Sequence, residues 1–325
     1  MKYLITGGAG FIGSHLAEAL LAQDHTVITL DDFSTGTHQN VQIFESHPEH
    51  SLVVGDVRDE ALIQELVSKV DGVFHLASSV GVKLIIEQPI KTIENIVIGA
   101  SRILSACARY RKPVLMTSTS EAYGKSKQLP FAEDQDLLIG PTHMKRWAYA
   151  SAKVVDEFLS FAYWHEQGLP IVNVRLFNTV GPRQTGQYGM VVPTLIRQAL
   201  ANKPLTVFGD GSQTRCFCHV KDVISALIRL LECPQTKGQL FNVGNDQETS
   251  IGQLAKSIIA MTDSSSEIQL VPYHEAYGEG FEDMQQRVPN LQKIKAAIAY
   301  EPCHDLSNIL SDIIAFERDH SLYQK

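Results

Sequence analysis

Tyr149 and Lys153 stand four residues apart in a stretch, 149–167, whose apolar residues recur at helical spacing. Side chains four apart share one face of a helix. An ammonium beside a phenol favours the phenolate and lowers its pKa, and an oxidised nicotinamide nearby acts in the same sense. Such a tyrosine takes a hydroxyl proton near neutral pH while hydride leaves the same carbon. The pair alone is common on helices and gains meaning only in context. Upstream lies Thr117-Ser118-Thr119-Ser120-Glu121-Ala122-Tyr123-Gly124, at the end of a strand-like run. Thr119 and Ser120 offer hydroxyls to a substrate hydroxyl or ketone, and Glu121 offers a carboxyl as acid, base or holding group. The structural alternative is a hydroxyl-rich capping turn with Glu121 in solvent.

A second constellation is Gly7-Gly8-Ala9-Gly10-Phe11-Ile12-Gly13, after the first strand-like run and before the first helical pattern. Glycines at this spacing let a tight turn form, a pyrophosphate approach the backbone, and helix pack on strand. The helix N-terminus then presents unpaired N–H groups to the anion. Asp31 ends the second strand-like run, eighteen residues beyond Gly13. A carboxylate there accepts hydrogen bonds from ribose hydroxyls and repels a 2′-phosphate, favouring NAD over NADP. Asp56, ending the third run, either meets adenine or caps the next helix.

The elements that must position these groups alternate. Strand-like runs at 3–6, 27–30, 52–54, 73–76, 114–117 and 171–174 are separated by helical patterns at 14–23, 59–69, 92–110 and 149–167. That alternation predicts βαβ units: a doubly wound parallel sheet of the Rossmann type, in the α/β class. Ligands bind at the carboxyl ends of such strands, where the motifs fall. After Arg175 the pattern loosens, with breaks at Gly181-Pro182, Gly186, Gly189, Pro193, Gly209-Asp210-Gly211 and Gly278–Gly280, and helical patterns at 192–201, 222–232, 251–261 and 305–317. We expect a dinucleotide-binding domain over 1–177 and a smaller, mixed substrate-binding region over 178–325, with part of 216–243 returning to the main sheet.

Composition narrows the function. The chain has 325 residues, 44% apolar and 20% charged, with a net charge of −8. An acidic chain is poorly suited to sequence-independent nucleic-acid binding, which relies on neutralising phosphates. An anionic ligand must instead be met by a few placed cations. The N-terminus has no charged leader or long apolar run, and no segment approaches the ~18 apolar residues of a membrane span. Cys107, Cys216, Cys218, Cys233 and Cys303 are odd in number and scattered, which fits neither a disulfide framework nor a zinc site. The expectation is a cytoplasmic protein with no metal, no membrane partner, no nucleic-acid partner and no catalytic cysteine. His15, His75 and His219 read as structural or solvent-facing.

Taken together these residues resemble the extended short-chain dehydrogenase/reductase family, in its nucleotide-sugar branch of epimerases, dehydratases and decarboxylases. The resemblance covers nearly the whole chain: Gly7–Gly13, Asp31 with Ser34-Thr35-Gly36, Gly55-Asp56, His75-Leu76-Ala77-Ser78, Ser118–Gly124, Tyr149 with Lys153, and Arg175 through Arg183. It implies bound NAD, contacted by Gly7, Gly10, Phe11, Ile12, Gly13, Asp31, Asp32, Ser34, Thr35, Gly36, Asp56, Val57, Leu76, Ala77, Ser78, Tyr149 and Lys153. It implies a catalytic set of Thr119, Ser120, Glu121, Tyr149 and Lys153. It also implies a nucleotide-sugar site of Asn178, Val192, Thr206, Val207, Phe208, Arg215 and Arg287, with Arg215 on the diphosphate, where arginine's fork suits phosphate oxygens.

Within the branch, Thr119-Ser120-Glu121 is similar to UDP-glucuronate decarboxylases, whereas 4,6-dehydratases carry Asp-Glu after the threonine and simple 4-epimerases need no acid at the Glu121 position. Residues 140–147, 213–217 and 277–289 are similar to the decarboxylase of lipid A aminoarabinose modification, while 78–89 and 181–191 match it poorly. Arg287 by this likeness sits near a carboxylate or donates a proton; in epimerases an arginine there binds diphosphate. The expected activity is NAD-dependent oxidation of C4 of a UDP-sugar, foremost decarboxylation of UDP-glucuronate to UDP-xylose or a 4-ketopentose. UDP-sugar 4-epimerisation is the alternative, 4,6-dehydration a lesser one, and a nonenzymatic NAD-binding regulator a distant one. The two long helices, 92–110 and 149–167, pair with their counterparts in this family, so a homodimer is expected.

Overall fold

The computed structural model describes residues 1–78, 87–186, 190–272, 275 and 284–322, without the side chains of 320–322. Gly189, Gly278–Gly280 and the decarboxylase-like run Tyr277–Asp283 lie outside the described residues. In chain order the first half contains β1 (Lys2–Thr6), α1 (Phe11–Leu21), β2 (Thr26–Asp31), α2 (His38–Gln42), β3 (His50–Val54), α3 (Glu60–Ser68), β4 (Gly72–His75), α4 (Pro89–Tyr110), β5 (Val114–Thr119), α5 (Trp147–Gln167) and β6 (Ile171–Leu176). The second half contributes β7 (Thr179–Val180), α6 (Val191–Leu200), β8 (Leu205–Phe208), β9 (Thr214–Cys216), β10 (Cys218–His219), α7 (Val220–Glu232), β11 (Gln239–Val243), β12 (Glu248–Ser250), α8 (Ile251–Thr262), β13 (Ile268–Val271), α9 (Gln292–Ile298) and α10 (Leu306–Leu322).

Among the described residues, seven strands form one parallel sheet in the order β11-β6-β5-β4-β1-β2-β3. Alternation along β1 explains how it is covered on both sides. Tyr3 and Ile5 join the core beneath α1, α7 and α9, while Leu4 joins the core beneath α3 and α4. Period-two side-chain geometry requires this of a strand buried on both faces. β11 comes from beyond residue 178 and pairs with β6, so the C-terminal half contributes to the main sheet. A third core, built from α6, α8, α10 and β8, stands apart from the sheet and contains Leu195, Leu205, Val207 and Ile258.

Local signals set the helix limits. Pro89 opens α4, where its missing N–H is harmless, three residues before the start that periodicity placed at Thr92. Asp59 caps α3 by accepting from Leu62 N, so the cap weighed for Asp56 belongs to its neighbour. The helices α2 and α9 are too short to show a clear period, and the sequence reading did not foresee them.

A buried ion pair ties the sheet to the helix that carries Tyr149. Arg175 on β6 donates to Glu157 on α5 through Nε at 2.9 Å and Nη2 at 2.7 Å. Glu157 also accepts from Ser118 on β5, and the Arg175 guanidinium lies 4.5 Å from the centre of the Tyr123 ring. Removing one partner of such a pair leaves an uncompensated buried charge. We expect Arg175→Met to cost about 3–5 kcal/mol in urea unfolding, and Arg175→Met with Glu157→Met to recover most of it. A double variant no more stable than the single one would assign the loss to packing instead.

Candidate functional site

The strand ends and the C-terminal half enclose one cavity of about 670 Å³. At one end lies the glycine turn. Gly7 has a φ of +73°, open to glycine and strained for other residues. A Cβ on Gly13 would sit 2.1 Å from the Gly7 carbonyl oxygen, so α1 can seat on this turn only without a side chain there. The N-cap of α1 is Gly10, without a side-chain cap, and the first turn holds no acidic residue. Its free N–H groups and positive dipole end are therefore open to an anion at the cavity wall. Asp31 accepts from Ala9 N and from Phe33 N, both at 2.9 Å. Burial pushes its carboxyl up from the usual range, against these bonds. Asp32 stands beside it at the cavity wall. Arg58 forks onto Asp56 at 3.0 Å through Nε and holds that carboxyl below its ordinary value. A glycine turn open to pyrophosphate, with the carboxylates of Asp31 and Asp32 in the same cavity wall, suits NAD and opposes a 2′-phosphate.

Most of the expected cofactor residues line this cavity: Gly7, Gly10, Phe11, Ile12, Gly13, Asp31, Asp32, Ser34, Thr35, Asp56, Val57, Leu76, Ala77, Ser78, Tyr149 and Lys153. Gly36 does not. It packs on the backbone of Ala9, where a Cβ would come within 2.9 Å, and so supports the turn from behind.

The chemical centre lies where β5 ends. Thr119 closes the strand, and its Oγ1 accepts from Glu121 N at 3.2 Å, starting a single 3-10 turn over Ser120–Tyr123. The capping role and the exposure of hydroxyls to the cavity therefore coexist in one residue. Glu121 points inward rather than into solvent, and Arg287 reaches it at 3.4 Å from Nη1 to Oε1. Tyr149 and Lys153 project from α5 into the same space.

The electrostatic balance at Tyr149 runs opposite to the sequence expectation. Burial pushes the phenol pKa upward, the Glu121 carboxylate adds to that, and Asp156 contributes in the same direction; hydrogen bonding to Thr119 and Ser78 pulls it down. The reason is local. Lys153 Nζ lies 3.4 Å from Asp156 Oδ2, both side chains being buried, so the lysine's field is partly cancelled. Burial raises the Asp156 carboxyl to about 6 against the pull of Lys153. His75 lies on β4, bonded to Thr6 Oγ1 at 2.8 Å. Burial, aided by the charge of Lys153, lowers it to about 3, so it is a neutral structural group.

At the other end of the cavity, Asn178 donates to Cys216 O at 3.1 Å, and Val192 sits in the first turn of α6. Along β8 the side chains alternate. Thr206 and Phe208 face the cavity, whereas Val207 is turned into the third core. Its expected place among substrate-contacting side chains is corrected by strand periodicity. Arg215 on β9 lines the cavity and donates to Thr214 O at 2.7 Å.

Among the wall residues to which sequence reading gave no role are Arg146, Gln198 and Gln213. Gln198 bonds both Thr206 N and Thr206 Oγ1 at 3.0 Å, fixing that strand from α6. Gln213 donates to Phe208 O at 2.7 Å. For Arg146 a signal existed: it precedes Tyr149 by three positions and so shares its helix face. None of the five cysteines lines the cavity, and burial pushes the Cys216 and Cys218 thiols up to about 12. Among the described residues no helix is long and apolar enough to cross a membrane.

Known proteins share this arrangement. The model of the NAD dependent epimerase/dehydratase family matches residues 3–244. UDP-N-acetyl-alpha-D-glucosaminuronate decarboxylase of Bacillus cytotoxicus is 40% identical, over 98% of this chain and 98% of its own. UDP-glucuronic acid decarboxylase 1 of Xenopus tropicalis is 35% identical, over 99% of this chain and 73% of its own. The solved structure of UDP-glucuronic acid 4-epimerase from Bacillus cereus, in complex with UDP-glucuronic acid and NAD, superposes with a TM-score of 0.89 at 28% identity, covering 98% of this chain and all (100%) of that one. A family match over most of the chain, with relatives alike along nearly its full length, makes this protein an NAD-dependent enzyme of the epimerase/dehydratase family.

Proposed function

We propose that this enzyme decarboxylates a UDP-linked hexuronic acid. One observation carries the reading: the Glu121–Arg287 pair, 3.4 Å apart inside the cavity that also holds Tyr149. A 4-epimerase has to oxidise and re-reduce C4 and needs no charged pair of this kind. A decarboxylase must accommodate a carboxylate and deliver a proton to C5. The decarboxylases of Bacillus cytotoxicus and Xenopus tropicalis support the same choice.

In this reading NAD, held by the glycine turn, Asp31, Asp32 and the neighbouring cavity wall, supplies the reversible two-electron oxidant for C4. Tyr149 is the base that removes the 4-hydroxyl proton, and Lys153 stabilises its phenolate. Burial and Glu121 hold the phenol protonated in the free protein, so a further positive charge is required before it can act as base. Thr119 and Ser120 hold the resulting ketone. The 4-keto uronate is a β-keto acid. It loses carbon dioxide with its electrons flowing into the ketone, and Glu121 with Arg287 manages the proton that then adds to C5. Arg215, Asn178, Val192, Thr206 and Phe208 hold the UDP moiety. The product is UDP-pentose, or its 4-ketone if the ketone leaves before reduction. Whether C2 carries hydroxyl or acetamido separates the two named relatives, and both sugars belong in the assay.

The second reading is UDP-glucuronate 4-epimerisation, favoured by the likeness to the Bacillus cereus structure. Incubation with UDP-glucuronate or its 2-acetamido counterpart and NAD is expected to release one carbon dioxide per UDP-sugar consumed. Appearance of the 4-epimer without gas would establish epimerisation instead. Tyr149→Phe is expected to lower kcat at least about 100-fold.

A pH dependence follows from the Lys153–Asp156 pair. Asp156 raises the Tyr149 phenol pKa, so Asp156→Asn is expected to move the acidic limb of kcat/KM toward lower pH. Asp156 takes its proton near pH 6, so the two enzymes should differ above that pH and converge below it. Superimposable profiles would show that its charge is not felt at Tyr149.

We also propose that two copies pair through α4 and α5 in the cytoplasm, a reducing setting that suits five free cysteines. These helices leave Ile93, Ile98, Val155 and Phe158 exposed, Phe158 at 73%, and apolar side chains grouped in this way mark interaction surfaces. Sedimentation is expected to give a dimer that Phe158→Asp converts to monomer; a monomeric wild-type protein at micromolar concentration would remove this assignment.

A further inference from the structure

Residues 179–186 form a bend whose two ends line the cavity and whose tip does not. Thr179, Val180, Gln184, Thr185 and Gly186 belong to the wall, whereas Pro182 and Arg183 stand outside it. β7 opens the bend, pairing Thr179 with Cys218 and Val180 with His219 of β10. Gln184 Nε2 donates back to Thr179 O at 3.0 Å and narrows the neck. At the far end Thr194 Oγ1 on α6 donates to Gly186 O at 3.4 Å.

The tip is gripped by α1. His15 Nε2 lies 3.0 Å from Pro182 O. The carbonyl only accepts, so that nitrogen carries the proton; burial, aided by the charge of Arg183, lowers the ring to about 4 and keeps it neutral. Arg183 donates through Nη2 to Glu18 Oε2, and through Nη1 to Ser14 Oγ at 3.4 Å. Ser14 and Glu18 are four residues apart, His15 and Glu18 three, so one face of α1 makes all of these contacts. The backbone of Arg183 has a φ of +69°, in the left-handed region where a residue with a side chain is strained. Such conformations persist where the surrounding contacts over-determine them, and they cluster at ligand sites. Stability alone is a weak reason for this one, because an ion pair with the Glu18 side chain 46% exposed contributes little.

α1 is also the helix whose N-terminal turn is open to the pyrophosphate. Ser14 N bonds Gly10 O at 3.1 Å, so the grip on the bend begins immediately beyond the glycine turn. Cofactor and bend therefore share one rigid reference. The crossing over α7 is tight as well: a Cβ on Gly181 would come within 2.6 Å of Val220 Cγ1. We infer that Arg183 is a positioning residue: by fastening the 179–186 bend to α1, it fixes one wall of the cavity relative to the cofactor and so sets C4 of the sugar against the nicotinamide. This inference rests on the C4 oxidation proposed above, a step that decarboxylation and epimerisation share.

Hydride transfer demands alignment, and a displacement of about 1 Å can cost about 100-fold in rate. Arg183→Met is therefore expected to lower kcat at least about 10-fold, with KM for the UDP-hexuronate changed far less. Substrate deuterated at C4 supplies a readout that a merely structural role would not move. The isotope effect on kcat should grow in the variant, as hydride transfer becomes slow relative to the steps around it. Calorimetric titration should find NAD affinity unchanged, because the glycine turn is intact. The charge swap, Arg183→Glu with Glu18→Arg, should restore part of kcat. Hydrogen exchange across 179–186 should be faster in Arg183→Met than in the wild type, with or without substrate.

The outcomes separate cleanly. A wild-type kcat in Arg183→Met, or a lowered kcat with the isotope effect unchanged and no rescue by the swap, would overturn the positioning role while leaving the reaction intact. A parallel loss of NAD affinity would assign Arg183 to the support of α1 and overturn it equally. A wild-type enzyme that converts neither UDP-hexuronate would overturn the proposed function instead, and the exchange comparison then decides by itself whether Arg183 anchors the bend.

Discussion

All seven strands of the main sheet run the same way, so all their carboxyl ends open on a single edge. Everything chemical in the molecule depends on that constraint. Gly7 follows β1, Asp31 ends β2, Asp56 follows β3, Leu76 follows β4, Thr119 ends β5 and Phe177 follows β6. These residues are far apart in the chain and become neighbours because a parallel sheet has one productive rim. A single reversed strand would send its terminal residues to the opposite edge. The seating of α1 on the glycine turn completes the rim, since it aims the helix's positive end at the place where a pyrophosphate must lie.

Charge is managed locally. A chain with a net charge of −8 belongs to an NAD-dependent family and, among its described residues, places four cations in the cavity wall. Dipoles do part of the work at the glycine turn. Elsewhere cations are held by buried carboxylates, Lys153 by Asp156 and Arg175 by Glu157, and Arg287 by the half-buried Glu121. Such pairing fixes geometry and restrains each field. At Tyr149 burial and the Glu121 carboxylate push the phenol pKa up, and the pairing of Lys153 with Asp156 restrains the lysine's pull against them.

Much of this architecture was legible in the residues themselves. The alternation of short β-branched runs with longer periodic stretches located the six N-terminal strands and four of their five intervening helices within a few positions, because a buried parallel strand and an amphipathic helix have incompatible periods. Short elements were less visible. α2 and α9 span too few turns to display a period; the return of part of 216–243 to the main sheet was expected, and the pairing places β11 of that stretch beside β6. The motifs were legible for a different reason: glycines, carboxylates and a Tyr–Lys pair at those spacings serve backbone and ligand geometry that few other residues satisfy.

By itself the sequence determined the fold class, the cofactor, and the candidate side chains for proton chemistry, because these reside in local spacing and residue type. Only the tertiary structure decided their state and company. Burial and the Glu121 carboxylate reverse the expected direction of the Tyr149 pKa, and the pleat of β8 turns Val207 away while presenting Thr206 and Phe208. Folding also brings Arg287 to Glu121 across 166 positions of the chain, and sets Arg146 into the same wall. Electrostatic environment and long-range proximity are properties of three-dimensional packing, and no local pattern encodes them.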